Sequence, residues 1–438
     1  MMRSAYHGLM AWKRSNQRMP LLLQGARQVG KSYLLESFGQ NEFKDYHIFN
    51  FELDSGLNKI FAQDLAPERI LFELSLHLNK KIDPKTDLVI FDEIQECPRA
   101  ITSLKYFCEN AQELALCCAG SLIGVKLSSE SFPVGKVDFL DLYPMRFEEF
   151  LLALDEQMLL ELLPSALEKG KLPEIAHIKL WEKLKEYFVT GGMPQVVSTY
   201  ISLYEDQAEA MRQARVLQKG LIESYYKDFA KHSGKTNAIH IVSVFENVPL
   251  QLAKNIEGSV KRYRFKDVIQ RKRSFAELQG PINWLEKAGL LIKVKVCNRS
   301  ELPLEAFCKD SFFKLLVFDI GLLGCMLDLS PETVLQQDYG ITKGYFAENY
   351  VAQEFVAAGH KRLYSWAERN SEIEFLRVID GKIVPIEVKA GIRVQAKSLK
   401  QYILKYTPET AIKISGNPLT INNSQVARNI PLYLAGRI

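Results

Sequence analysis

The sequence predicts an α/β protein whose N-terminal part is a parallel sheet flanked by helices. Two observations carry this: three short apolar runs, residues 20–24, 87–91 and 114–119, each end in glycine or an acid, and the first is followed by a glycine-rich turn and a segment of helical period. At 438 residues the chain is too long for one domain of about 100–200 residues. Hydrophobic residues make up 47% and charged residues 25%, which excludes long disorder and a membrane bundle. No window holds the roughly 18 consecutive apolar residues of a spanning helix, so no membrane partner is expected. The first 25 residues lack the apolar core of an export signal. Seven cysteines (Cys97, Cys108, Cys117, Cys118, Cys297, Cys308 and Cys325) fall without paired spacing, which argues against a disulfide framework or metal ribbon and predicts a reducing, cytoplasmic location. A net charge of +4 is too weak a field to imply nucleic acid without local clustering.

The first run leads into Gly25, Ala26, Arg27, Gln28, Val29, Gly30, Lys31 and Ser32, then Tyr33. Glycines at the first and sixth positions let the backbone curl so that its N–H groups face phosphates at a helix N-terminus, the arrangement of a P-loop NTPase. Lys31 would hold the β and γ phosphates of ATP, and the Ser32 hydroxyl would ligate Mg²⁺. The second run ends in Asp92 and Glu93. Carboxylates at such a strand end face the ligand crevice; Asp92 would organise the magnesium, and Glu93 would polarise the attacking water. The third run ends in Gly120-Ser121, and Ser121 is read equally as a γ-phosphate sensor or a turn serine.

These segments, together with LYPMRFEEF near residue 146, YFVTGGMPQVV at 187–197, FKLLVFDIGLL at 313–323 and GYFAENYVAQEF at 344–355, resemble the prokaryotic AAA-superfamily ATPases that carry a C-terminal domain of unknown function with a restriction-endonuclease-like fold. The resemblance covers nearly the whole chain. It implies ATP and Mg²⁺ as cofactors and a helical lid over the nucleotide; because loop positioning often sets turnover, slow hydrolysis until a partner completes the site is expected. The family commonly has Gly-Arg after the sensing serine, but Gly135-Lys136 stands here, and lysine lacks the planar fork that clamps phosphate oxygens. Arg146 is a nearby substitute.

Residues 151–230 are rich in Leu, Glu, Lys and Ala and read as the helical lid. In the 231–328 part, the stretch 261–273 sets Lys261, Arg262, Arg264, Lys266, Arg271, Lys272 and Arg273 against a single acid, Asp267. Pro281 suits a helix start and Gly289 its end, and residues 290–296 alternate as a half-buried strand, so the segment reads as winged-helix-like. Its basic cluster fits double-stranded DNA through the phosphate backbone, or a solvated face used for protein contact.

Residues 329–438 predict a PD-(D/E)xK nuclease-like α/β domain. An amphipathic helix at 345–355 carries Glu348, and two β-rich runs, 373–375 and 383–389, flank an Asp380-Gly381 turn. Alternation along the second run puts Glu387 and Lys389 on one face. With Glu374, they fit a second metal site, Glu348 reaching in from the helix. Glu374 replaces the more usual aspartate.

The function expected from these parts is Mg²⁺-dependent ATP hydrolysis by residues 1–150, with Lys31, Glu93 and Ser121 in the reaction, coupled to the nuclease-like domain and acting on DNA. The alternative is an ATP-controlled protein-interaction switch with a catalytically silent nuclease fold, its partner a second protein or a neighbouring subunit.

Overall fold

The computed structural model describes residues 3–121, 132–233, 235–254, 262–337, 340, 342–391, 397–420 and 426–438. The chain divides into two compact units, residues 1–143 with 287–289, and residues 144–286 with 290–438.

The first unit is built on five strands, β1 (Leu21–Gly25), β2 (Asp45–Asn50), β3 (Asp87–Asp92), β4 (Ala115–Ser121) and β5 (Asp138–Asp141). They lie in the order β2-β3-β4-β1-β5, and every pairing is parallel. Helices Lys31–Glu42, Pro67–Leu78 and Pro98–Asn110 are among those that connect them. A parallel sheet covered on both faces needs strands apolar on both faces, which is why all residues of β1 and β3 are buried. The three strands expected from apolar runs are present. β2 and β5 escaped notice because DYHIFN alternates polar with apolar residues and DFLD is only four residues long. Phe91 anchors the tip of β3: its ring meets Phe49, Phe51, Phe61 and Phe107 edge-on at centroid distances of 5.6–6.2 Å.

The second unit opens with helices Phe147–Ala153, Gln157–Lys169, Glu174–Thr190, Pro194–Ser202, Gln207–Ser233 and Lys235–Lys254; the composition of 151–230 predicts helices there, whereas Lys235–Lys254 falls in the stretch read as winged-helix-like. A seven-stranded sheet follows, with strands β6 (Leu291–Cys297), β7 (Cys308–Val317), β8 (Leu363–Glu368), β9 (Ser371–Ile379), β10 (Lys382–Val388), β11 (Ala411–Ser415) and β12 (Ala427–Pro431) in the order β12-β11-β10-β9-β8-β6-β7. The β6–β7 hairpin, read from sequence as part of a winged-helix-like segment, is the edge of this sheet, because β6 also pairs with β8 in parallel. The preceding helix runs Phe275–Lys287 with Pro281 inside it, not at its start. Its start is set instead by Glu277, whose carboxylate accepts from the Arg273 and Ser274 backbone N–H groups at 2.9 and 3.0 Å and from the Ser274 hydroxyl at 2.7 Å.

The helix Thr342–Ala357 departs from its amphipathic reading: residues 345–355 are buried without exception. Its polar side chains meet protein partners in place of water. Asn349 exchanges two 2.8 Å hydrogen bonds with the Val317 backbone, Gln353 accepts from Ile320 N–H at 2.8 Å, and Glu354 accepts from Phe147 N–H at 2.9 Å. The GGMP and FDIG segments also meet here. Gly192 N–H donates to the buried Asp319 carboxylate at 2.7 Å, and a Cβ on Gly191, at φ 67°, would fall 2.2 Å from Asp319 Oδ1. Among the described residues, no helix is long and apolar enough to cross a membrane.

Candidate functional site

The loop after β1 leaves the sheet at Gly25, where a Cβ would fall 2.1 Å from the Leu142 carbonyl oxygen, so only glycine lets the chain pass. Gln28 (φ 65°) and Gly30 (φ 92°) then turn the backbone through the left-handed region into the helix Lys31–Glu42. Lys31 is the first residue of that helix. Its Nζ lies within the loop's curl, donating to the Gly25 and Ala26 carbonyls at 3.2 and 2.9 Å. Ser32 follows, its Oγ 3.0 Å from both carboxylate oxygens of Asp92. Tyr33 is exposed beside them. The two motifs, 60 residues apart in sequence, therefore converge at the C-terminal ends of β1 and β3.

Asp92 is held from several sides. Besides Ser32, it accepts from Asn50 Nδ2 at 3.0 Å and from the Glu93 N–H at 3.1 Å. Glu93 sits on a left-handed turn (φ 49°), half-buried, and its carboxylate accepts from Gln95 Nε2. Ser121 lies opposite Gly25 in the β4–β1 ladder, and its side chain falls outside the described residues. Sequence reading missed two supports of this site. Asn50 ends β2 in register with Asp92. Arg3, only 6% exposed, donates to the Val29 carbonyl inside the loop at 3.0 Å and to the Tyr143 carbonyl at 2.6 Å. A strand end beside the acid-bearing strand was the available signal for Asn50; Arg3 left none.

Lys136 pairs with Glu109 at 3.1 Å. The Arg146 guanidinium is engaged within the second unit by Glu354 at 3.4 Å and the Gly436 carbonyl at 2.6 Å, so the proposed substitute arginine already has a structural role there.

In the second unit, Glu374 on β9 and Glu387 on β10 lie one position beyond the paired residues Phe375 and Ile386, and Lys389 Nζ bridges them at 3.4 and 3.3 Å. Glu374 also accepts from the Val388 N–H at 3.0 Å. Glu387 is 1% exposed, and its Oε2 is buried with no hydrogen-bond partner. Burial pushes its carboxyl up to about 7, with Lys389 opposing and Glu374 reinforcing the shift. Glu348 pairs with Lys314, which also holds Glu372 at 2.7 Å. Among the described residues no three His, Cys, Asp or Glu side chains are grouped to hold a metal, so the expected trio of Glu348, Glu374 and Glu387 does not assemble as a ligand set.

Of the basic cluster, Lys261 lies outside the described residues. Arg262, Arg264, Lys266, Arg271 and Arg273 are exposed and Lys272 is half-buried, while the interleaved Tyr263, Val268 and Ile269 are buried. Phe265 and Phe275 pack on Phe313 at 5.9 and 5.7 Å, fixing the backbone from which the cations project.

Residues 17–151 match the family model of an AAA domain, residues 181–333 a domain of unknown function (DUF8612), and residues 343–433 another (DUF4143). No curated protein matches the chain. Three of the solved structures it is similar to illustrate the match. For C. elegans PCH-2 the identity is 13% and the TM-score 0.27, covering 48% of this chain and 64% of that one, so this chain spans less than two thirds of that relative. For the Aeropyrum pernix ORC1 protein in complex with DNA the values are 12% and 0.28, covering 77% and 93%. For Drosophila ORC bound to DNA they are 14% and 0.27, covering 74% and 94%. With the parallel five-stranded sheet and the loop geometry, the family match identifies residues 17–151 as an AAA-type P-loop domain.

Proposed function

We propose that this chain is a magnesium-dependent ATPase. The observation that carries the reading is the convergence of Lys31, Ser32 and Asp92 at one end of a parallel sheet, with Glu93 next to them. The donor set fits Mg²⁺-ATP: a curled backbone at a helix N-terminus for the phosphates, one ammonium inside the curl, and a hydroxyl bound to a carboxylate for a hard divalent cation. Ser32 and Asp92 would hold the magnesium, which when bound offsets charge on the phosphate oxygens. Lys31 would exchange its two carbonyl contacts for a phosphate oxygen. Glu93 would orient the attacking water and take its proton, with Gln95 holding the carboxylate until substrate arrives. Turnover of ATP by the full chain tests this: Glu93→Gln is expected to lower the rate about 10²- to 10⁴-fold while ATP binding persists. An unchanged rate would remove Glu93 from the reaction.

The exposed cations at 262–273 support duplex DNA as a partner, bound through its phosphates. A second reading, metal-dependent phosphodiester cleavage by the nuclease-like part, draws on the partnerless, buried Oε2 of Glu387, whose other oxygen pairs with Lys389. The same turnover assay run with plasmid DNA and Mg²⁺ or Mn²⁺ separates the readings. Faster hydrolysis with intact DNA supports a DNA-directed ATPase; nicking lost in Glu387→Ala supports cleavage. Neither effect leaves an ATP-controlled protein-interaction switch.

A further inference from the structure

The spacing of the cysteines argues against a disulfide framework, yet the fold brings two of the seven together. Cys297 ends β6 and Cys308 begins β7; the hairpin register sets them opposite each other, and their Sγ atoms are 2.9 Å apart. Both are free thiols, Cys297 buried and Cys308 half-buried. Directly opposite strand residues have Cβ atoms about 4.5–5.5 Å apart, close to the roughly 3.5–4.5 Å of a disulfide, so bridging asks for little more than side-chain rotation. Both thiols also contact the Leu304 carbonyl, at 3.5 and 3.4 Å, which holds them on the same side of the loop between the strands.

The two sulfurs are not equivalent. The hydrogen-bond contact between the two sulfurs, in which either can be the donor, holds the Cys308 thiol below its ordinary range, against burial and the nearby Glu305. Cys297 is pushed up by the same hydrogen bond and by burial. Burial also pushes up Cys108, Cys117, Cys118 and Cys325. The half-buried member of the pair therefore combines access with thiolate character, the two requirements of an attacking sulfur.

We propose that Cys297 and Cys308 form a reversible thiol–disulfide exchange site, with Cys308 the attacking sulfur and a small disulfide of the glutathione type the oxidant. Cys308 gives its proton to solvent and its thiolate attacks one sulfur of the oxidant. The oxidant's S–S bond breaks, one thiolate leaves and takes up a proton, and a mixed disulfide remains on Cys308. Cys297 then loses its proton and attacks Cys308 Sγ, expelling the second small thiolate, which is protonated in turn. The protein's two thiols lose two electrons in all, and the oxidant becomes two thiols. The bridge closes the connection 298–307 covalently, a loop already tied to the sheet by Ser300 to Tyr402 and by Glu305 to Tyr364 at 2.8 Å.

The full chain is equilibrated with mixtures of glutathione disulfide and glutathione, trapped by alkylation, and mapped as non-reduced peptides. The expected result is a loss of two alkylatable thiols, one linked peptide pair containing Cys297 and Cys308, and full recovery in excess glutathione. In Cys297→Ser the resolving sulfur is missing, so glutathione should accumulate on Cys308; in Cys308→Ser, Cys297 should stay unmodified. If wild-type Cys297 and Cys308 remain separately alkylatable in excess glutathione disulfide, or if other cysteines cross-link as readily, the proposal is wrong. The wild-type measurement stands even if a serine variant misfolds, and it does not depend on the ATPase reading.

Discussion

Two carboxylate pairs stand at strand ends in this molecule, and they are held in opposite ways. At the tip of β3, both oxygens of Asp92 receive the Ser32 hydroxyl, and an amide side chain and a backbone N–H add to the set. At the open end of the β9–β10 hairpin, Glu387 is buried against a like charge with one oxygen unsatisfied, and Lys389 bridges both acids. The first arrangement is a built cradle whose polar groups are paired before any ligand arrives. The second bears a desolvation cost that something else must offset: a proton, as its raised pKa indicates, or a cation.

Altering the cradle's backbone should have the largest effect on stability. Gly25→Ala drives a Cβ into the Leu142 carbonyl and is expected to cost about 3 kcal/mol in the first unit, measured by denaturant unfolding with a probe in that unit. Arg3→Ala leaves the Val29 and Tyr143 carbonyls without the guanidinium and should cost about 1–2 kcal/mol, with ATP binding weakened in step. An Arg3→Ala protein with unchanged ATP affinity would show that the loop holds its shape without that clamp. The second site gives an effect of the opposite sign. Because the Glu387 carboxyl is raised from 4.5 to about 7, the folded chain binds more protons than the unfolded one between those values, and stability falls as pH rises through that window. Glu387→Gln should therefore gain stability at pH 8 in chelator and nothing below pH 4.5, read from thermal melts. If added Mn²⁺ reverses the sign at pH 8, the pair holds a cation; if not, proton uptake accounts for its state.

How far the sequence reveals each site follows from how local its determinants are. The strands β1, β3 and β4 are legible because burial on both faces demands uninterrupted apolar runs. The closeness of Glu374 and Glu387 was legible too, since the two-residue turn at Asp380 (φ 50°) and Gly381 (φ 76°) sets Ile379 against Lys382 and fixes every pair above it. Arg3 and Asn50 were not, because their partners lie 26 and 42 residues away and only the assembled sheet brings them in. The helix carrying Glu348 was misread for a related reason: Asn349, Gln353 and Glu354 look like a solvent face in sequence, but each binds protein groups supplied by distant segments. Likewise, Cys297 and Cys308 are unremarkable by spacing and become neighbours only through hairpin register.

Titration calorimetry of ATP into the full chain, with magnesium and then with chelator, in wild type and Lys31→Ala, tests the central claim most directly. Saturable uptake by wild type, tightened by magnesium and weakened about 10- to 100-fold without the Lys31 ammonium, is the result predicted. Wild-type protein that takes up no ATP, or a Lys31→Ala chain that binds it equally well, would contradict it.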